Sequence, residues 1–323
     1  MTKTIKRFAA ACMVALCAIA AHAQAFPNKP IRMVVGFAPG GSTDKLARVL
    51  AQAMGEILGQ SVVVDNRPGA AGNLAAELVA TAPPDGYTLF MATLSSQAIN
   101  PHLYSNLRFH PLNSFESIAL VAKYPLLLMV GPNVPVNNLQ GFLDYTRSHS
   151  GKLYFSSAGN GSPGHLAGEI YKADVHVDAT HVPYKGGSPA MLAVMADEVQ
   201  FAFETIPSAI GLVRSGKLKG IAVTSDRRSS AAPELPTMRE GGVTDFSVTS
   251  WAGLVAPAKT PKPVLARLAE ATQKAMQQAG VRSALAADGA EAGGGTPAEF
   301  AQFMASELKS WGQVVRASGT KVE

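Results

Sequence analysis

The 323-residue chain is poor in thiols and poor in charge. Its two cysteines, Cys12 and Cys17, both fall within the first 25 residues. Without that stretch the chain has no disulfide, no cysteine nucleophile and no thiolate metal site. Charged residues make up 16% against 47% hydrophobic, which excludes a disordered, charge-solvated chain and leaves a fold that stands on its core alone. Histidines at metal-ligand spacing are missing, as is a serine nucleophile elbow: Asn160 stands two residues before Ser162, where G-x-S-x-G requires glycine. Apart from the N-terminal apolar run there is no long apolar stretch, which argues against a multi-span membrane protein.

Lys3, Lys6 and Arg7 precede the apolar run "FAAACMVALCAIAAHAQA", which passes through Ala21-His22-Ala23. A basic start, an apolar middle and a small-x-small end describe a secretory signal peptide over residues 1–25. The competing reading is an N-terminal membrane anchor, for which the run is short. Neither cysteine fits a lipoprotein cleavage site. Losing the three cations takes the formal net charge from +5 to +2, so the mature chain gives no reason to expect a nucleic-acid partner.

The remainder alternates strand, glycine-rich loop and helix. Ile31–Gly36 reads as a strand. Apolar residues at Leu46, Ala47, Leu50, Ala53, Met54 and Ile57 predict a helix ending at Gly59. Ser61–Asp65 is a second strand, Leu74–Thr81 a second helix and "YTLFMAT" a third strand. This βαβαβ order predicts a parallel sheet with right-handed crossovers. A second series begins near Leu126 with "LLLMVG" and runs through "KLYFSSA", "ATHVPY", "EVQFAFE" and "LKGIAVTS", with helices between. After the strand "FSVTSWAGLVAP", two helices, Pro263–Gln278 and Pro297–Gly312, close the chain. Two α/β units with a cleft between them fit this layout, with ligands expected beyond the C-terminal ends of strands.

"GFAPGGSTD" is nearly a phosphate loop, but Ser42 stands where the lysine belongs and Asp44 adds a negative charge to the first helical turn. A singly charged carboxylate needs less neutralisation, and backbone N–H groups at a helix start can hold it. The alternative is a glycine-rich turn with a capped helix and no ligand. "SSAGNGSPGHLAGE" repeats the device in the second unit, with Pro163 suited to the first helical position. His165 in its first turn is open to either capping or ligand contact.

Several stretches, taken in order, resemble one family: "FPNKPIRMVVGFAPGGSTDKLAR", "DNRPGAAGN", "PPDGYTL", "AINPHLY", "SSAGNGSPGHLAGE", "VPYKGGSPA" and "LPTMREGG". From Phe26 onward the chain resembles the Bug family, the TctC-like periplasmic solute receptors of tripartite tricarboxylate transporters. The resemblance implies a type II periplasmic-binding-protein fold of two α/β domains, 26–125 plus 248–323 and 126–247, with the ligand in the cleft. It implies a first carboxylate clasp of Phe37, Ala38, Pro39, Gly40, Gly41, Ser42, Thr43 and Asp44, and a second of Ala158, Gly159, Asn160, Gly161 and Ser162. Thr93, Ser95 and Ser96 stand at a further strand end in the first domain and Glu204 at one in the second. Two departures stand out: Ala71 and Glu204, where the family more often has glycine and aspartate. Glu204 can also be read as an acid favoured by the start of the helix after it. Trp251 suits a core position at a domain crossing, and Lys185 is a nearby cation.

The expected protein is a monomeric periplasmic receptor that binds a small organic carboxylate and passes it to two membrane subunits, with no cofactor, metal or catalysis. A secreted α/β hydrolase or transferase and a stand-alone carboxylate sensor are the alternatives.

Overall fold

The computed structural model describes residues 26–244 and 246–320, so the expected signal segment lies outside the described residues. The fold is a type II periplasmic-binding-protein arrangement of two α/β lobes. In the first lobe β1 (Ile31–Val35) lies between β2 (Val62–Asn66) and β3 (Thr88–Thr93), parallel to both. Helix α1 (Ser42–Leu58) buries the stripe Leu46, Ala47, Leu50 and Met54 and ends at Gly59, whose left-handed backbone places its N–H on the Gly55 carbonyl. In the second lobe β5 (Leu153–Ser157) lies between β6 (Ala179–Pro183) and β7 (Phe201–Thr205), parallel to both. Its core is aromatic: Phe142, Phe155, Tyr171, Phe201 and Phe203 pack ring against ring.

One strand belongs to both lobes. β4 runs from Phe115 to Val130. Its residues up to Pro125 pair antiparallel with β9 (Thr249–Pro257), and those from Leu126 pair with β7 and β8 (Lys219–Val223). The sequence reading begins this strand only near Leu126. The earlier part was missed because Glu116, Ser117 and Lys123 interrupt the apolar run at positions the fold leaves half buried. Thr224 pins the crossing: its Oγ1 accepts from Leu126 N–H (2.8 Å) and donates to the Val248 carbonyl (2.6 Å), tying both connecting segments together.

The structure differs from the sequence reading at two other places. Residues Ser95–Ile99 form a π-helical turn that continues into a short helix, Asn100–Leu103. The sequence reading assigns no element here; Pro101 occupies a first-turn position where no N–H is required. The last helix (Pro297–Ser318) runs past Gly312, because that glycine lies in its interior against the His102 ring, where a Cβ would stand 2.7 Å from an imidazole carbon.

In the turn between β2 and α2 (Asn73–Ala80), Ala70 and Ala71 both hold left-handed backbones, φ 45° and 48°. A Cβ in that region costs about 1–2 kcal/mol, part of which glycine would lose again through a freer unfolded chain. Ala71→Gly should therefore stabilise the protein by up to about 1 kcal/mol, seen as a higher denaturant midpoint. An unchanged or lower midpoint would show that the turn is not strained at this position.

Candidate functional site

The loop from Phe37 to Gly41 carries the chain from β1 into α1. Gly41 is the N-cap, with φ −76°, and no side chain caps the helix, so Ser42 and Thr43 are its first two residues. The positive φ that a tight turn calls for belongs to Gly40, at 84°. The opening N–H groups of α1 are left to neighbours outside the helix. Ser42 N–H donates to Ser208 Oγ of the other lobe (2.7 Å).

Asp44 is buried, and its carboxylate is fully engaged within the loop. It accepts from Gly40 N–H (2.9 Å), Asn66 Nδ2 (2.9 Å) and Arg48 Nε (3.0 Å). Burial alone would raise its pKa, but these hydrogen bonds and the Arg48 charge hold it below the ordinary carboxylate value. Asp44 thus shapes the clasp and offers no free oxygen to a ligand.

Among the described residues, several hydrogen bonds join the lobes across the cleft. Besides Ser42–Ser208, Lys45 Nζ donates to Pro207 O (2.7 Å), Ala38 N–H to Lys185 O (3.3 Å), Ser188 Oγ to Pro39 O (3.3 Å) and Tyr104 OH to Asn160 O (3.0 Å). The lobes are closed on one another. Ala38, Pro39 and Gly40 meet the loop before α6 (Gly187–Met195).

Between the lobes lie two adjoining cavities. The inner one measures about 40 Å³ and is lined from the first lobe by Phe37, Gly41, Ser42, Thr43, Thr93 and Ser95, with Ala158 and Glu204 facing from the second. At about 10–15 Å³ per water it has room for roughly three waters, or one carboxylate-sized group. Phe37 and Ala158 also border the outer cavity of about 220 Å³, which includes Gly159, Asn160, Ala71 and Lys185. A larger groove of about 850 Å³ lies beside the crossing strands. Two hydroxyls of the inner cavity, Thr93 Oγ1 and Ser95 Oγ, are buried with no protein partner. Ser96 Oγ, by contrast, is engaged by Thr93 N–H (3.2 Å) and the Thr93 carbonyl (3.3 Å).

Gly161, Ser162 and His165 stand behind the second clasp loop and line neither cavity. Helix α5 (Pro163–Val175) is capped by Ser162 Oγ, and Gly161 N–H donates to His165 Nδ1 (3.1 Å). His165 stacks on His181 at 4.0 Å, and His181 Nε2 bonds Ser157 Oγ (2.6 Å), which in turn holds Gly159 N–H (3.1 Å). Two neutral imidazoles thus support the loop. Burial, then Lys172, pushes His165 down to about 4; burial, then His165 and Lys172, pushes His181 down to about 3.

Several lining residues have no counterpart in the sequence reading: Tyr124, Gly187, Thr205, Ser208 and Ser250. Tyr124 is fully buried, with Ser42, Thr43 and Ser250 around its hydroxyl. Tyr124 and Ser250 pair across β4 and β9, a relation invisible before the strand register is known. Trp251 is a core residue; its Nε1 donates to Glu307 Oε2 (2.9 Å) and its ring packs on Phe300 and Phe303. Among the described residues no cluster of His, Cys, Asp or Glu could hold a metal ion, and no helix is long and apolar enough to cross a membrane.

Two lobes of this topology, closed over a polar cavity at strand ends and joined by crossing strands, define a solute-binding protein of the periplasmic-binding-protein class. Residues 46–320 match the tripartite tricarboxylate transporter family receptor, and the chain belongs to that family. Among solved structures, it is similar to the periplasmic binding protein BugD (32% identity, TM-score 0.89, covering 92% of this chain and all of that one). A Rhodopseudomonas palustris protein solved with adipate superposes with TM-score 0.89 at 33% identity over 91% of this chain and 98% of its own. MatC from the same organism, solved with bound malate, gives 0.86 at 35% over 90% of this chain and all of its own.

Proposed function

We propose that this protein is a monomeric periplasmic receptor that binds a small organic carboxylate between its lobes and hands it to the two membrane subunits of a tripartite transporter, without transforming it. The observation that carries this reading is the inner cavity. Two unpartnered buried hydroxyls, Thr93 Oγ1 and Ser95 Oγ, line it together with the uncapped start of α1. Hydroxyl donors and helix-start N–H groups suit an anion. Phe37 and Gly41 to Thr43 of the first loop and Ala158 to Asn160 of the second then surround the ligand, one carboxylate entering the inner compartment and the rest of the molecule extending past Phe37. Adipate and malate in the structural relatives fit this division.

A ligand bound only by the folded protein stabilises it by about 2.7 kcal/mol at a hundredfold excess over Kd. That should raise the melting temperature by roughly 5 °C, at about 2 °C per kcal/mol for a chain of this size. The test is a thermal-shift panel of malate, succinate, adipate, benzoate and aspartate beside ATP, on protein unfolded and refolded to strip any carried ligand. A shift with ATP and none with any carboxylate would defeat the proposal.

A further inference from the structure

Glu204 lines the inner cavity, and its two oxygens are unlike. Oε1 accepts both Thr205 N–H (2.8 Å) and Thr205 Oγ1 (2.8 Å). Behind it, the Ser42 N–H donates to Ser208 Oγ. Ser208 Oγ lies 3.0 Å from Thr205 Oγ1. The Thr205 hydroxyl, with one proton, faces two acceptors, Oε1 and Ser208 Oγ, while the Thr205 N–H stays on Oε1 in either case. Oε2 receives none of the described hydrogen bonds and lies against Gly187, 2.6 Å from where a Cβ would stand, so only glycine leaves it room. Among the described residues lining this cavity none is Lys, Arg or His.

We propose that Glu204 carries a proton on Oε2 in the closed protein and donates it to the ligand carboxylate held by Thr93 and Ser95, so that binding takes up a proton. This rests on the carboxylate-receptor reading above. Oε1, already the acceptor of the Thr205 N–H, is the poorer site for that proton. A carboxylate ligand placed beside an ionised Glu204 would put two negative charges in one water-poor compartment, which only a shared proton relieves. An ammonium group would also neutralise Glu204, but the cavity's other polar groups are hydroxyl donors and a helix start, which disfavour a cation.

The chemistry of the surroundings agrees. Burial raises the Glu204 pKa, and the Thr205 hydrogen bonds only partly offset it. Around it, β4 brings Tyr124, whose hydroxyl is itself pushed up by burial, and α1 brings Asp44 and Lys45, both already bonded. His165 of α5 is held neutral, Tyr154 of β5 is turned to solvent, and Arg214 of α7 (Ile206–Arg214) reaches the Ala231 and Ala287 carbonyls; α6 carries no titratable side chain. With the lobes apart, water returns the carboxyl toward its ordinary value near 4.3. Closing on the ligand therefore takes up a proton at neutral pH. A group with its pKa raised in the bound state supports binding at low pH and loses that support as pH rises.

The test is titration calorimetry with malate, adipate and aspartate from pH 6.5 to 8.5, above the range where the histidines charge. Affinity should fall by up to tenfold per pH unit, and heats measured in two buffers of different ionisation enthalpy should show uptake of up to one proton. Glu204→Gln keeps a donor that does not titrate, so it should still bind, with a flat profile and no proton uptake. A flat wild-type profile without proton uptake overturns the proposal and leaves the receptor reading standing, as does a slope that persists in E204Q. Binding of aspartate alone, without proton uptake, would make Glu204 a carboxylate facing an ammonium, and the proposal falls. If no carboxylate binds at any pH, both readings fall.

Discussion

Moving the protein from pH 7.5 to pH 5 should take roughly 5–10 °C off its melting temperature through two side chains, at about 2 °C per kcal/mol for a chain of this size and apart from any opposing gain from Glu204. The cause is the stacked pair His165 and His181. Both are held neutral, His165 buried and His181 half-buried, with pKa values down to about 4 and about 3 against 6.5 in the unfolded chain. A pKa depressed in the folded state means that stability is intact above 6.5 and is lost as pH falls toward the folded value, because only the unfolded chain takes the proton. At pH 5 that amounts to about 2 kcal/mol for His165 and a comparable amount for His181, or about 4 kcal/mol if they act independently. Their charges would repel one another, so the pair resists protonation together. A melting series on wild type and on His165→Gln/His181→Gln checks this. The double variant can start lower, but its decline between pH 7.5 and 5 should be clearly shallower. Equal declines would place the acid sensitivity elsewhere.

Gly161→Ala should cut ligand affinity by about 10–100-fold, in addition to a stability cost of about 1–2 kcal/mol that the open and closed forms share. Gly161 has φ 83° and abuts the Asn100 side-chain amide and Leu103. Those two residues belong to the first lobe, so the clash of an added methyl is felt only when the lobes are shut. Overpacking of that kind costs about 1–3 kcal/mol, and binding, which requires closure, carries that cost. The left-handed strain, by contrast, burdens the open and closed forms alike. Calorimetry with malate or adipate on Gly161→Ala, on Asn100→Ala and on the double variant tests it as a cycle. The methyl should matter less once the amide is gone. Strict additivity would mean that the loss arises from backbone strain and not from blocked closure.

Most of the element order was legible because the helical stripes and short apolar strands are locally encoded. Leu46, Ala47, Leu50 and Met54 point to α1 whatever surrounds them. What escaped was set by distant partners. The first part of β4 carries polar residues that are tolerated because β9, more than a hundred residues later, covers it. The turn at Ser95–Ile99 has no local periodicity of its own. For the cavity, glycine-rich loops announce helix starts, and the family resemblance carried over Phe37, Gly41 to Thr43, Thr93, Ser95, Ala158 and Glu204. Tyr124, Ser208 and Ser250 could not be named, since each arrives at the cavity through a pairing or a lobe contact. Asp44 shows the opposite limit. Its charge was legible, but its full engagement by Arg48, Asn66 and Gly40 was not.

The course of β4 and β9 also fixes an order in time. In the first sheet β9 lies between β3 and β4, so those two earlier strands have no direct neighbour in one another. A chain growing from its N-terminus has made β1, β2, β3 and the first part of β4 long before Thr249–Pro257 exists. Until that segment arrives, β3 and β4 each present an unpaired edge. The first lobe, begun first, can be completed only after the whole second lobe has been synthesised.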